Sequence, residues 1–401
     1  MSDPRTIEPL ERPPDATVVV PGSKSLTNRA LVCAALADGE STITGALEAD
    51  DVDAMRECLA ALDDVGSTLH ARASGTTARF LLPVLAARAG GHVLDGDPSL
   101  RARPQGPLLD AVRSLGATVD ELGEPGCLPV RISGGPVAGG RVEVAGDVTS
   151  QFLSGLLLAG PCFSGGVEVV PTTELVSAPY VTMTAAVMRA FGASVDGLRA
   201  EAGGYRATAY AIEPDASAAS YFFALAAITG GRITIDGLGS SSLQGDLRFV
   251  DVLEQMGARV DRHDDATTVV GGELHGISID LRDMPDMAQT LAAVAVFADS
   301  PTTVRGVGFI RGHETDRIMA VVTELRRCGI DAHELDDGFT VAPGAPRPAI
   351  IETYDDHRMA MAFSLLGVRV PGIAIADPGC VAKTFPRFFE TLDALRQEPS
   401  R

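Results

Sequence analysis

The sequence predicts an α/β fold built from about six mixed helix-and-strand units, and three observations carry that reading. A segment type recurs: an acidic or polar start, a helical apolar pattern, a turn with Gly, then a β-prone stretch. It occurs at Leu109–Ala117, Ala186–Ala193, Asp251–Ala258 and Val321–Ile330, with glycines 116, 192, 257 and 329 about seventy residues apart. Asp53–Gly66 and Phe388–Leu395 look like degenerate first and last copies. Between the helices lie short β-prone runs at His92–Leu94, Val167–Val170, Arg232–Ile235, Thr302–Val304 and Ile373–Ile375, mostly preceded by Gly or a turn residue. No linker rich in Ser or Gly, low-complexity tract or long charge run separates the units. The best border is Ala211–Asp215, where Pro214 breaks a strand ahead of a long helix beginning near Ser217.

Taken in order, the extended run Thr17–Val20 is ended by Pro21-Gly22, and Leu26, Ala30, Leu31, Ala34 and Leu36 then recur at helical spacing until Gly39 offers a stop. The helix therefore begins near Ser23 to Ser25. Its free N–H groups and positive dipole end favour a phosphate or carboxylate, with Lys24 and Arg29 adding charge; a plain Ser cap is the alternative. Ser74-Gly75-Thr76-Thr77-Ala78-Arg79, Arg103-Pro104 and Thr149-Ser150-Gln151-Phe152 combine basic, amide or hydroxyl side chains with helix starts in the same way. In the second half, Met284-Pro285-Asp286-Met287, Arg311–Arg317, Asp355–Ala360 and Ala382–Pro386 set carboxylates beside cations at element boundaries, where surface ion pairs are the competing explanation.

Composition narrows the function. The chain has 401 residues, 45% of them apolar, with 25 Pro and 43 Gly, as a folded, turn-rich protein of two or three domain-sized units would. A net charge of −20 argues against a nucleic-acid partner but leaves room for small anions. No apolar run reaches membrane-spanning length and the first fifteen residues are Pro-rich and acidic, so a cytoplasmic protein without a membrane partner is expected. Six scattered cysteines, with no Cys-x-x-Cys and no histidine cluster beside them, are expected as free thiols with no structural zinc. Of 33 basic residues only two are lysine, Lys24 and Lys383, which suggests positions where a compact, proton-exchanging ammonium cannot be replaced by a guanidinium, with chance survival as the alternative.

These motifs, in this order, resemble the 5-enolpyruvylshikimate-3-phosphate synthase family over nearly the whole chain. The carrying stretches are Pro21-Gly22-Ser23-Lys24-Ser25 with Asn28-Arg29, Ser74-Gly75-Thr76 with Arg79, Arg103-Pro104, Ser150-Gln151-Phe152, Glu314-Thr315-Asp316-Arg317, Asp356-His357-Arg358-Met359-Ala360 and Lys383-Thr384-Phe385-Pro386. The resemblance implies two similar lobes, each of three βαβαββ-type repeats around buried helices: residues 22–214 as a shikimate-3-phosphate-binding lobe, and 1–21 with 215–401 as the other. It implies transfer of the enolpyruvyl group of phosphoenolpyruvate to the 5-hydroxyl of shikimate-3-phosphate, in aromatic amino-acid biosynthesis.

By the same resemblance, Ser25 and Arg29 meet the carboxylate of shikimate-3-phosphate, Thr149, Ser150 and Ser177 its phosphate, and Tyr180 lies alongside, with Lys24, Gln151, Asp286 and His313 completing its contacts. Phosphoenolpyruvate falls to Lys24, Gly75, Arg103, Gln151, Arg317, Arg358 and Lys383. Asp286, Glu314, Lys383 and Lys24 are the implied catalytic residues. The reaction needs an acid and a base on different atoms, and arginines for the carboxylate and the departing phosphate. No metal and no organic cofactor is expected, and a monomer is. His313 stands where the family often has Lys, and Ala73 and Phe309 where many members have Asn. Two rival readings remain. A UDP-N-acetylglucosamine enolpyruvyl transferase would need a reactive loop cysteine, for which Cys127 is the one candidate, in a Gly-Cys-Leu-Pro setting without basic neighbours. A non-catalytic anion-binding paralogue would not need Asp286, Glu314 and Lys383 together.

Overall fold

Strand pairing in the computed structural model, which describes residues 3–88, 90–134 and 137–396, repeats one pattern four times. Thr68–His70 runs parallel to Gly90–Asp95, which pairs antiparallel with Val130–Gly134, which pairs antiparallel with Thr118–Glu121. Helix Gly75–Ala86 joins the first two strands and Gly106–Ser114 the second and third, so the unit reads βαβαββ. The same strand order holds for Gly140–Val144, Val167–Pro171, Arg199–Ala200 and Val195–Asp196, and for Ser278–Asp280, Thr302–Arg305, Gly338–Val341 and Ala332–Leu335. A fourth copy, Arg232–Asp236, Ala266–Val270 and Arg259–Arg262, takes its first strand, Asp15–Thr17, from far upstream. The two degenerate copies are incomplete sheets. Ala349–Ile351 and Ile373–Ile375 borrow Arg5–Thr6 as an edge, and Ala37–Asp38 and Thr42–Thr44 pair with Tyr205–Arg206 and Ala209–Ala211.

Glycines 116, 192, 257 and 329 each follow the second helix of a complete copy at positive φ. The residue after each donates its N–H five residues back, as from Ala117 to Val112, Ala193 to Met188, Ala258 to Leu253 and Ile330 to Leu325. This left-handed helix end satisfies carbonyls that the helix leaves unpaired, and a side chain other than hydrogen resists it.

The chain divides into two compact units, one comprising residues up to Pro21 together with everything from Glu213 onward, the other Gly22–Ile212. The second border falls two residues before the expected 214/215. Ile212 still donates its N–H to Thr44 O at 2.9 Å, whereas the Glu213 carboxylate accepts from Ser242 Oγ (2.6 Å), Leu243 N (3.1 Å) and Gln244 Nε2 (3.0 Å). Glu213 and Pro214 thus belong with the later chain.

Each unit has its own core. In Gly22–Ile212, every residue of Gly75–Ala86 is buried, as is nearly all of Ser150–Ala159, and Lys24–Ala35 joins them. A Cβ at Gly155 would run into the carbonyl oxygen of Arg79, so glycine there lets two helices pack this closely. In the other unit Ala216–Thr229, Ala288–Ala295 and His357–Gly367 hold the equivalent central place, the last two buried along their whole length. Among the described residues no helix is long and apolar enough to cross a membrane. All six cysteines are free, three buried and three half-buried.

Candidate functional site

Within each unit the predicted site residues gather in a cluster, most of them at or near helix starts. In Gly22–Ile212, Ser23, Ser74 and Thr149 cap the helices that begin at Lys24, Gly75 and Ser150, their hydroxyls accepting from Leu26 N, Thr77 N and Gln151 N. Hydroxyl caps satisfy the helix end without adding negative charge, so the positive end of each dipole stays available.

Around these ends stand cations. Lys24 Nζ lies 2.9 Å from Asp51 Oδ2. Arg29 is buried and donates to neutral acceptors: Nε to Thr184 Oγ1 (2.7 Å), Nη1 to Ser25 O (2.8 Å), and Nη2 to Tyr180 O (3.3 Å) and Ser154 Oγ (3.4 Å). Its guanidinium also lies over the Phe80 ring, 5.1 Å from the centroid. Burial pulls its pKa down to about 10, which leaves it charged at neutral pH. A second group forms at Gly75, where an added Cβ would sit 3.2 Å from Arg103 Nη1 and 3.3 Å from Arg79 Nη1. Arg79 donates to Gln105 Oε1 (3.2 Å) and Gln151 Oε1 (2.8 Å), and Gln151 Nε2 donates to Thr76 Oγ1 (3.2 Å). Ser177, buried in left-handed backbone at φ 55°, starts the Ala178–Ala190 helix that carries Tyr180. This cluster suits anions: fixed cations and unencumbered helix ends converge with hydroxyls.

The other unit centres on Arg317, only 2% exposed. Its Nε lies 2.7 Å from Asp356 Oδ2, its Nη1 2.8 Å from Asp286 Oδ1, and its Nη2 2.9 Å from Glu314 Oε2. Arg358 Nη2 reaches Asp286 Oδ2 at 2.6 Å, and Lys383 Nζ reaches Glu314 Oε1 at 3.2 Å. Asp286, Glu314, Arg317, Arg358 and Lys383 are thereby brought together, three cations with three carboxylates counting Asp356. Burial works to raise the Asp286 pKa, but the Arg358 and Arg317 guanidiniums outweigh it and hold the carboxyl well below the usual range. His313 Nδ1 is 3.1 Å from Arg317 Nη1. An arginine only donates, so in this contact Nδ1 of the imidazole ring is the acceptor. Phe309 packs edge-on against this ring, with centroids 5.9 Å apart.

Chemically, the second cluster offers an anionic base in Asp286 and an ammonium–carboxylate pair in Lys383 and Glu314, which can move a proton between them. Asp51, Arg79 and Asp356 belong to the site without having been assigned roles in it. Asp356 was readable as a helix cap ahead of Arg358, and Asp51 only as one of three acids at a helix start, which the dipole alone explains. Backbone strain points to the same places: among the described residues, the non-glycine positions at positive φ are Arg72, Ser177, Tyr354 and Asp355, each just ahead of a site-bearing helix. Cys127 follows Gly126, whose carbonyl accepts from Gln105 N at 2.7 Å. The Gly126 N–H donates in turn to Glu121 Oε2 at 2.5 Å.

Comparison with known proteins is consistent across sequence and structure. The family model described as EPSP synthase (3-phosphoshikimate 1-carboxyvinyltransferase) matches residues 11–69 and 63–392. A 3-phosphoshikimate 1-carboxyvinyltransferase of Nostoc sp. is 44% identical over 96% of this chain and 99% of its own. That of Serratia proteamaculans is 42% identical over 99% and 100%. Among solved structures, an EPSP synthase from Acinetobacter baumannii superposes with a TM-score of 0.82 at 27% identity, covering 98% of each chain. The enolpyruvyl transferase NikO from Streptomyces tendae, at 19% identity and a TM-score of 0.76 over 98% of each chain, shares the fold.

Proposed function

Because the chain belongs to the EPSP synthase (3-phosphoshikimate 1-carboxyvinyltransferase) family, we infer that it transfers the enolpyruvyl group of phosphoenolpyruvate to the 5-hydroxyl of shikimate-3-phosphate, releasing phosphate. It is a transferase of the shikimate pathway. The observation that carries the mechanism is the Arg317 cluster, in which one buried guanidinium orders two candidate proton-transfer carboxylates, Asp286 and Glu314, with Lys383 bound to the second.

Asp286, held anionic by Arg317 and Arg358, accepts the proton of the attacking 5-hydroxyl. Lys383, paired with Glu314, delivers a proton to C3 of phosphoenolpyruvate, which makes C2 electrophilic. The intermediate then expels phosphate, which carries off the proton held by Asp286, and a C3 proton returns to the Lys383–Glu314 pair, restoring the double bond and both protonation states. Arg317, Arg358, Arg103, Lys24, Gly75 and Gln151 are assigned to phosphoenolpyruvate. Ser25, Arg29, Thr149, Ser150, Ser177, Tyr180 and His313 are assigned to shikimate-3-phosphate, with Arg29 supported by its buried, carboxylate-free surroundings.

The test is phosphate release from phosphoenolpyruvate with either acceptor. Turnover with shikimate-3-phosphate and none with UDP-N-acetylglucosamine is expected, and the reverse would overturn the reading. In the same assay Lys24→Arg and Lys383→Arg should each lose about 100-fold or more in kcat/KM, since a guanidinium cannot release a proton near neutrality. Near-wild-type turnover in either variant removes that lysine from the mechanism.

A further inference from the structure

Glu324 is a fully buried carboxylate that the chemistry above does not use. It lies on the helix Arg317–Arg327, seven residues after Arg317, so two helical turns place both side chains on one face. Arg317 holds Asp356. Glu324 holds the chain just before it: Oε1 accepts from the Tyr354 hydroxyl at 2.8 Å and Oε2 from the Glu352 N–H at 3.1 Å. Arg327 Nε, 2.8 Å from Oε2, supplies the countercharge.

The segment so held needs holding. Tyr354 and Asp355 are consecutive non-glycine residues in left-handed backbone, at φ 55° and 57°, a conformation that persists only where the surroundings impose it. Immediately afterwards the Asp356 N–H donates to Thr353 O at 2.9 Å, and Asp356 Oδ1 accepts the Arg358 N–H at 2.9 Å as the cap of the next helix. Any slip of this turn moves Asp356 and Arg358 together. Burial, with the Glu324 hydrogen bond adding, pushes the Tyr354 pKa up to about 12, so its hydroxyl stays a donor throughout the working range.

We propose that Glu324 and Tyr354 are positioning residues, the far end of a two-point clamp by which one helix sets the placement of Asp356 and Arg358 for phosphoenolpyruvate. Only a carboxylate serves at 324: it must accept from a hydroxyl, a backbone N–H and a guanidinium at once, and an amide would turn its own NH2 towards one of them. The clamp rests on the assignment of Arg317 and Arg358 to phosphoenolpyruvate.

Steady-state kinetics of the full chain, with thermal melting as a check on folding, provide the test. Tyr354→Phe removes one oxygen. It should raise KM for phosphoenolpyruvate about tenfold, as expected when a hydrogen bond to a charged group is lost, while KM for shikimate-3-phosphate and kcat stay within about twofold. Glu324→Gln should do the same more strongly; if it fails to fold, Tyr354→Phe decides alone. A lowered melting temperature with both KM values unchanged would reduce the cluster to a stabilising contact and overturn the proposal. Arg317→Lys separates the two levels. If it leaves KM for phosphoenolpyruvate unaltered, the assignment falls and the clamp with it; if it raises that KM while Tyr354→Phe does not, the clamp alone falls.

Discussion

Arg317 and Asp286 show what single side chains contribute here. Arg317 meets three carboxylates, which raise its pKa further although burial opposes them. Asp286 profits in return. Its folded pKa lies below the unfolded one, so its stabilising contribution is complete above about pH 4 and is lost as pH falls towards the folded value of about 2. Asp286→Asn should therefore cost about 2 kcal/mol at pH 7, and the gap from wild type should narrow between pH 4 and pH 2. Urea unfolding at pH 7 and pH 3 checks this, and a gap of constant size would exclude an electrostatic origin. The scarcity of lysine was a readable signal at this scale, since both lysines are largely buried and ion-paired, Lys24 with Asp51 and Lys383 with Glu314. The partners were not readable. Asp51 and Asp356 are brought to Lys24 and Arg317 by tertiary packing, which residue type and local spacing do not encode.

Helices divide into those the sequence announces and those it hides. The outer helices, such as Arg317–Arg327, carry an apolar stripe and stop at a left-handed glycine, so their recurrence revealed the repeating unit. Ser150–Ala159 and Ala288–Ala295 are buried on nearly every side and have no polar face to set a period, and only their starts could be read, from Thr149-Ser150 and Pro285-Asp286. The starts are where many of the candidate site residues lie. At Gly75 the missing side chain leaves room beside two guanidiniums, and Gly75→Ala would press a methyl group against both, at 3.2 and 3.3 Å. That is tight enough to displace them by a few tenths of an ångström without breaking the helix, for which Ala is the better former. The expected outcome is unchanged or slightly higher thermal stability with KM for phosphoenolpyruvate raised about tenfold or more, as misplacement of binding groups costs; an unchanged KM would mean that the two arginines do not contact that substrate.

Over the whole molecule, the α/β class and the number of units were legible in periodicity, and the later crossing in Pro214 within Ala211–Asp215, but the crossing at Pro21-Gly22 was legible only through resemblance to a family. No change in composition marks them, because Pro21-Gly22 and Ile212-Glu213 run directly from one packed unit into the other without a linker. Net charge acts at this scale as well. At −20, self-repulsion opposes the compact state, while the numerous exposed Arg–carboxylate pairs each contribute little, so screening should help more than it harms. Raising KCl from about 0.05 to 1 M should increase the melting temperature by several degrees, given about 2–4 °C per kcal/mol for units of this size. A flat or falling profile would show that the surface pairs dominate.

The strand Asp15–Thr17 pairs in parallel with Arg232–Asp236, and the Asp215 N–H donates to Pro21 O at 2.8 Å. A ribosome makes this strand before all of Gly22–Ile212 and its partner only afterwards. Gly22–Ile212, which has its own core, is complete before that partner exists, so it can fold while Asp15–Thr17 waits, unpaired, with its edge open. The last unit to close is thus the one whose first strand was made first, and its assembly is timed by the synthesis of an entire intervening unit.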